Sequence, residues 1–289
     1  MTKRGTKNIS ASVRARLLAL SHAEKRDYLF VLQRYALERL LHRLTLSAHG
    51  ERLTLKGAML FVVWAGSPHR ATRDLDLLAL GEPDIDGLAN LWRDVVAIEV
   101  DDGVIFDPAS VTAAVIREGR AYEGVRVLLI ARIESARINL QIDVGFGDAV
   151  VPRPKKVRLP VLLDFPAPEM RAYVPETVVA EKFHAMVEHG VVNTRLKDYY
   201  DIWWLQKRQM LDGDLVVDAI AATFARRKTA IPTSKPPALS SWYASDATKA
   251  KQWVGFCKRA AILDVPDLAE VVDVIEPFLM TAARNASKR

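Results

Sequence analysis

The chain has 289 residues, 50% of them hydrophobic and 26% charged, a composition that supports one large folded domain or two modest ones and excludes a low-complexity or disordered polymer. No apolar run is long enough to span a membrane, and the basic start MTKRGTKNIS lacks the apolar core of a signal peptide. With Cys257 as its single cysteine the chain has no internal disulfide, so it reads as a cytoplasmic protein with no membrane partner.

The net charge of +6 is unevenly spread. Residues 1–60 carry twelve Lys or Arg against four acids, and residues 221–260 carry eight against Asp246. Such blocks attract polyanions, and they also arise as solvated helix faces.

Residues 1–9 read as a loose basic tail. From Ser10 to about Leu46 the spacing is helical: Tyr28, Leu32, Tyr35, Leu37, Leu40 and Leu41 recur at three- and four-residue steps, with Asp27 and Arg34 outside that stripe. Residues 53–56 form a short apolar lead-in, and Gly57 breaks the pattern. AMLFVVWA (58–65) follows as a buried segment whose length does not separate helix from strand; Gly66, Ser67 and Pro68 end it. RDLDLLAL (73–80) alternates and then turns apolar, as a strand entering a core does. A helix is predicted over 86–97, a short strand at 103–105 and a helix at 109–117. VRVLLIARI (125–133) and INLQIDVGF (138–146) are strands joined by a turn at Glu134, Ser135 and Ala136, so the sheet is mixed and this pair antiparallel. The proline-rich stretch 147–170 is a connector with a short strand near 157–163. Pro175 suits the first turn of a helix over 177–190 that Gly190 stops. Further helices are predicted over 195–208, 214–228, 246–262 and 267–286.

The chemistry starts at Asp74 and Asp76. Two residues apart on a strand, their carboxylates share one face, and oxygen ligands so placed suit Mg²⁺. The same pair also arises on an exposed strand with no ligand. Leu75, Leu77, Leu78 and Leu80 mark a buried strand, where two like charges call for a metal or a basic partner. Asp143 lies on the polar side of its strand; it is either a strand-end aspartate facing water or, paired beside 74–80, a third carboxylate that would permit a two-metal site. Lys56, Gly57 and Ala58 offer a cation and backbone N–H groups to a phosphate, and Arg73 either touches a phosphate or balances Asp74. Lys182 is either a snorkelling surface lysine or a triphosphate contact. Asp198 and Asp201 share a helix face; they form an ordinary helical ion pair, Asp201 with Lys197, or reach a site as general base or as orienter of Lys182. The aromatic residues Tyr199, Tyr200, Trp203 and Trp204 read as core rather than as a base-stacking platform, with room for one of them to line a cleft. No Cys/His cluster has zinc spacing.

The segments RYALERLLHRL, LKGAMLF (55–61), RDLDLL (73–78), QIDVGFGD (141–148), EKFHAM (181–186) and RLKDYYDIWWL (195–205) follow one another in a specific order. From about residue 28 to 210 the chain resembles the AbiEii/AbiGii toxin nucleotidyltransferases. The resemblance implies an α/β (α+β) fold. It has a polymerase-β-like nucleotidyltransferase core with a mixed sheet, preceded by N-terminal helices and followed by a helical C-terminal domain. It favours a helix for 58–65, and the domains are placed at 1–165 and 166–289. It implies a toxin of a bacterial toxin–antitoxin or phage-defence system that moves a nucleotide from an NTP to the 3′ end of tRNA and so blocks translation. Mg²⁺ or Mn²⁺ would be the cofactor, and a separately encoded winged-helix antitoxin the partner. By the same resemblance Asp74 and Asp76 are the metal-binding pair, completed by Asp143. Lys56 is the lysine before the family's Gly-Gly or Gly-Ser, and Lys182 the nucleotide-contacting lysine. Asp201 is the helix aspartate that activity requires, with Asp198 a second acid nearby. Ala58 departs from the family, since many relatives carry Gly or Ser there. A protein or small-molecule acceptor, and a binding module without turnover, are the alternatives.

Overall fold

Two helices open the chain where one long helical pattern was predicted. Helix α1 (Ile9–Ala23) and helix α2 (Tyr28–Leu46) are separated because Asp27 leaves the helical conformation and caps α2, accepting a hydrogen bond from the Phe30 amide. The computed structural model describes residues 8–66, 74–118, 122–262 and 265–289; of the tail predicted at 1–9, residues 1–7 lie outside the described residues, as do Ser67, Pro68 and Arg73, whereas Asn8 caps α1 and Ile9 begins it. Strand β1 (Leu53–Lys56), helix α3 (Met59–Ala65), strand β2 (Asp74–Ala79) and helix α4 (Ile85–Val96) come next. Strands β3 (Ile105–Glu118), β4 (Tyr122–Ile133) and β5 (Ala136–Phe146) follow, then β6 (Lys155–Arg158) and β7 (Glu169–Ala172). Helices α5 (Pro175–His189), α6 (Leu196–Lys207), α7 (Gly213–Arg226), α8 (Ser241–Ser245), α9 (Ala247–Arg259) and α10 (Leu268–Ala286) complete the chain. The fold class is mixed α/β, with a seven-stranded mixed sheet.

Some predictions change. The apolar lead-in at 53–56 is a strand, paired on both sides. The helix predicted over 109–117 is part of β3. Thr112, Val115 and Ile116 are β-branched, and the edge of β4 gives them antiparallel partners. The ladder is irregular between Asp107 and Thr112, which accommodates Pro108; there the Ile130 amide donates to Ser110 Oγ at 2.9 Å in place of a backbone carbonyl. The hairpin turn between β4 and β5 has two residues, because Ile133 pairs directly with Ala136. The short strand predicted near 157–163 sits earlier, at β6. Helix α8 was not predicted; its five residues are too few to show a period.

Two compact units divide the described residues: one takes 8–66, those from 74 to 147 and Lys156–Ala172, the other Asp148–Lys155 and those from Tyr173 onward. In the first, the strand order is β3-β4-β5-β2-β1-β7-β6. Pairings β3/β4, β4/β5 and β1/β2 are antiparallel, whereas β2/β5 and β1/β7 are parallel. One face is fully apolar, with Leu53, Leu55, Leu75, Leu77, Val125, Val127, Ile142 and Val144 buried. Helices α1, α2 and α4 pack on β4, β5 and β3 and close over that face.

Helix α2 is buried on nearly every side, arginines included: Arg34 is 7%, Arg39 0% and Arg43 2% exposed. These cations of the N-terminal basic block therefore do not face a polyanion. Arg43 forks onto Asp102 at 2.7 and 3.1 Å and also donates to the carbonyls of Ile98 and Val104. Arg39 donates to Pro166 O at 3.0 Å; its Nε and Nη2 have no acceptor among the described residues, and its Cζ lies over the Tyr35 and Phe165 rings, 5.7 and 5.8 Å from their centroids. Burial pushes the Glu38 carboxyl up to about 7, and it accepts from the Leu162 amide at 2.7 Å. The second unit is helical, and its core joins Phe183 and Met186 of α5 to Tyr199 and Ile202 of α6, Ile220 and Phe224 of α7, and Ile275 and Leu279 of α10. Among the described residues no helix is long and apolar enough to cross a membrane.

Candidate active site

Strand period fixes the first unit's polar residues. Leu75 and Leu77 point into the core, so Asp74 and Asp76 share the opposite face of β2. Strand pairing then sets a row across the sheet. Asp76 is in register with Lys56 of β1 and with Asp143 of β5, and Asp143 is in register with Arg126 of β4. The row reads Lys56, Asp76, Asp143, Arg126, with two carboxylates flanked by two cations. Asp74 pairs in register with Gln141, one step along the same face. Asp74 is exposed and Asp76 half-buried. The structure thus brings Lys56, Gly57, Asp74, Asp76 and Asp143 together in one unit.

Gly57 turns the chain out of β1 with φ +72°, where a side chain is strained. A Cβ built there would collide with Asp76 Oδ2 and lie 2.6 Å from its Cγ. Only a glycine lets the backbone pass this close to the carboxylate. Ala58 is 6% exposed, so its methyl group belongs to the interior. The seven-residue α3 begins just beyond it, and the amides of Leu60 and Phe61 already bond to Gly57 O and Ala58 O.

Asp143 stands beside Asp76, but Arg126 holds its carboxylate. Arg126 Nε donates to Oδ1 and Nη2 to Oδ2, both at 2.8 Å, and Gln141 Nε2 adds a donor at 3.2 Å. Among the described residues no three His, Cys, Asp or Glu side chains are grouped to hold a metal ion. Asp74 and Asp76 do fit a hard divalent cation, which commonly takes one or two carboxylates plus water and phosphate oxygens. The Gly57 cradle against Asp76 fixes one of those two carboxylates.

The second unit holds the other acids that the sequence singled out. Lys182 of α5 reaches Asp198 Oδ1 at 2.7 Å and Asp201 Oδ2 at 2.9 Å, both on α6. Asp198 and Asp201 are 0% exposed and Lys182 is 9% exposed, so this lysine is not a snorkelling surface residue. Asp201 turns to Lys182 because α5 and α6 pack against each other. Arg195 Nε donates to the remaining Asp198 oxygen at 2.7 Å. Burial works against the Asp198 charge, but Lys182 and Arg195 outweigh it and hold the carboxyl below its usual range. Tyr199, Tyr200 and Trp204 are core residues, and Tyr199 stacks on Tyr243 at 5.8 Å. On the same α5, burial and the nearby Arg227 push His184 down to about 4, and Arg227 donates to Asp148 at 3.0 Å.

Sequence reasoning passed over Arg126 and Arg195. Hairpin arithmetic carries the signal for Arg126: a two-residue turn at Glu134-Ser135 sets Arg126 opposite Asp143, whereas a three-residue turn does not. Arg195 precedes Asp198 by three residues, a helical neighbour spacing.

The sequence profile described as nucleotidyl transferase AbiEii toxin, type IV toxin–antitoxin system, matches residues 39–274. Comparison with the curated proteins finds no match. Among solved structures the fold is similar to JHP933 from Helicobacter pylori, with 14% identity, 86% of this chain and 88% of that chain covered, and a TM-score of 0.45. It is similar also to a candidate nucleotidyltransferase from H. pylori, with 16% identity, 86% and 91% covered, and a TM-score of 0.46.

Proposed function

Because this chain belongs to the AbiEii nucleotidyl transferase toxin family of type IV toxin–antitoxin systems, we propose that it transfers a nucleotide from an NTP to the 3′ end of tRNA. The observation that carries the reading is the Asp74/Asp76 pair on one face of β2, with Gly57 folded against Asp76. Asp74 and Asp76 would hold Mg²⁺ or Mn²⁺, which when bound neutralises charge on the triphosphate. In the reaction the RNA 3′ hydroxyl gives up its proton to solvent, its oxygen bonds to the α-phosphorus, the bond from the α-phosphorus to the α–β bridging oxygen breaks, and pyrophosphate leaves with the electron pair. Leu75 and Leu77 anchor the strand, so the two carboxylates keep a fixed separation. Lys56 supplies positive charge in the same row. We assign Lys182 to a phosphate contact, with the fully buried Asp198 and Asp201 as positioning residues that fix its ammonium group. Catalysis on this reading is orientation and charge placement, with no covalent intermediate on the protein. An antitoxin partner follows from the family, and we propose a separately encoded winged-helix regulator acting in the cytoplasm.

Incubation of the full chain with each labelled NTP, Mg²⁺ and total tRNA is expected to label RNA with at least one nucleotide. Asp74→Ala and Asp76→Ala are each expected to lower labelling by a factor on the order of 1,000. Labelling that survives in both variants, or no labelled RNA with any of the four NTPs, refutes the proposal. A nucleotide adduct found on protein in place of RNA would move the acceptor, not the metal residues.

A further inference from the structure

We infer that Arg126 acts as an internal counter-cation that keeps Asp143 out of the metal site, which leaves Asp74 and Asp76 as its carboxylates among the described residues. The inference rests on the reading that Asp74 and Asp76 bind a divalent cation. Asp143 and Asp76 are register neighbours on one sheet face, so their like charges need compensation. On that face the Arg126 guanidinium meets Asp143 with both oxygens engaged at 2.8 Å, and Gln141 donates to the same carboxylate. The pair is not a loose surface contact: the Asp143 side chain is 14% exposed and Arg126 38%, both on the central strands of one hairpin. A carboxylate that already accepts three hydrogen bonds in a fork geometry is a poor third ligand, and the guanidinium charge lowers the site's attraction for a further cation. Arg126 is thus a positioning residue that sets how many carboxylates, and how much negative charge, the site presents.

Affinity for Mn²⁺ alone, measured by electron paramagnetic resonance titration of the full chain without nucleotide, tests this apart from turnover. Arg126→Gln is expected to tighten Mn²⁺ binding by about tenfold, and adding Asp143→Asn to it is expected to return the affinity to near the parent value. Asp143→Asn alone, which leaves the Arg126 charge uncompensated, is expected to weaken it by only about threefold, and Asp76→Asn to weaken it by more than about tenfold. Arg126→Lys keeps the charge without the fork and is expected to fall between parent and Arg126→Gln. It also serves if the glutamine variant melts early. Equal weakening by Asp143→Asn and Asp76→Asn would make Asp143 a ligand and overturn the inference while leaving the Asp74/Asp76 site standing. Mn²⁺ binding untouched by Asp76→Asn would overturn that underlying reading, and the inference with it.

Discussion

A methyl group is the smallest side chain that would disturb the site at Gly57. Its Cβ would occupy space held by the Asp76 carboxylate, on a backbone with φ +72°. Gly57→Ala is expected to cost about 1–3 kcal/mol of stability from backbone strain. It is also expected to lower RNA labelling about 100-fold by displacing Asp76, a factor of the size that a misplaced group commonly costs. Thermal melting and the labelling assay separate the two effects, and a stable, fully active variant would remove Gly57 from the site. Lys182 is bound more deeply into the fold. It pairs with two carboxylates with 0% exposure, so Lys182→Met is expected to destabilise the protein by about 3–5 kcal/mol in urea titration. The pH dependence has a definite sign. Asp198 is held below the ordinary carboxylate range, so its stabilisation is present above about pH 4 and is lost as pH falls through the lower folded value. The variant is expected to lose that acid-side slope. At this scale the sequence displayed Asp74, Asp76 and Lys182 through motif and parity. It did not display their partners, because a partner across a hairpin or between helices depends on register and packing that no local window contains.

Elements differ in how openly they declare themselves. Strand β5 alternates cleanly, and Pro175 and Gly190 bracket α5, so both were legible. Strand β1 has four residues and no period of its own, and β3 became a strand because β4 offered an edge to pair with. Helix α2 misled in another way: its leucines showed a stripe, yet its arginines are also interior. Their burial was invisible because the groups that satisfy them come from distant segments, Asp102 for Arg43 and Pro166 for Arg39. The Arg43–Asp102 pair ties α2 to the loop before β3, with side chains 2% and 0% exposed. Asp102→Ala is expected to destabilise the protein by about 3–5 kcal/mol, since it leaves a buried guanidinium uncompensated. Adding Arg43→Met is expected to recover part of that loss, and urea titration of both variants gives the coupling. Additive losses would show that the pair contributes nothing as a unit.

For the whole molecule, the net charge of +6 has to be located before it explains any attraction for RNA. Arg34, Arg39 and Arg43 of the first basic block are interior. In the second block Arg227 is engaged with Asp148, but Lys251, Lys258 and Arg259 are exposed on α9. Spaced by seven and eight residues, they fall on one side of that helix. An exposed cation near a phosphate releases counterions when RNA binds, which steepens the fall of affinity with salt by about 0.7 per phosphate for single strands. If α9 holds the acceptor RNA, the combined change of Lys251, Lys258 and Arg259 to Gln should flatten the slope of log affinity against log salt by about 2. Labelling at saturating RNA should stay at the parent level, because none of the three lies in the row at Lys56, Asp76 and Asp143. Filter binding of tRNA across a salt series reads the slope directly. An unchanged slope would mean that α9 is merely a solvated basic face and that the acceptor is held by other cations of the chain.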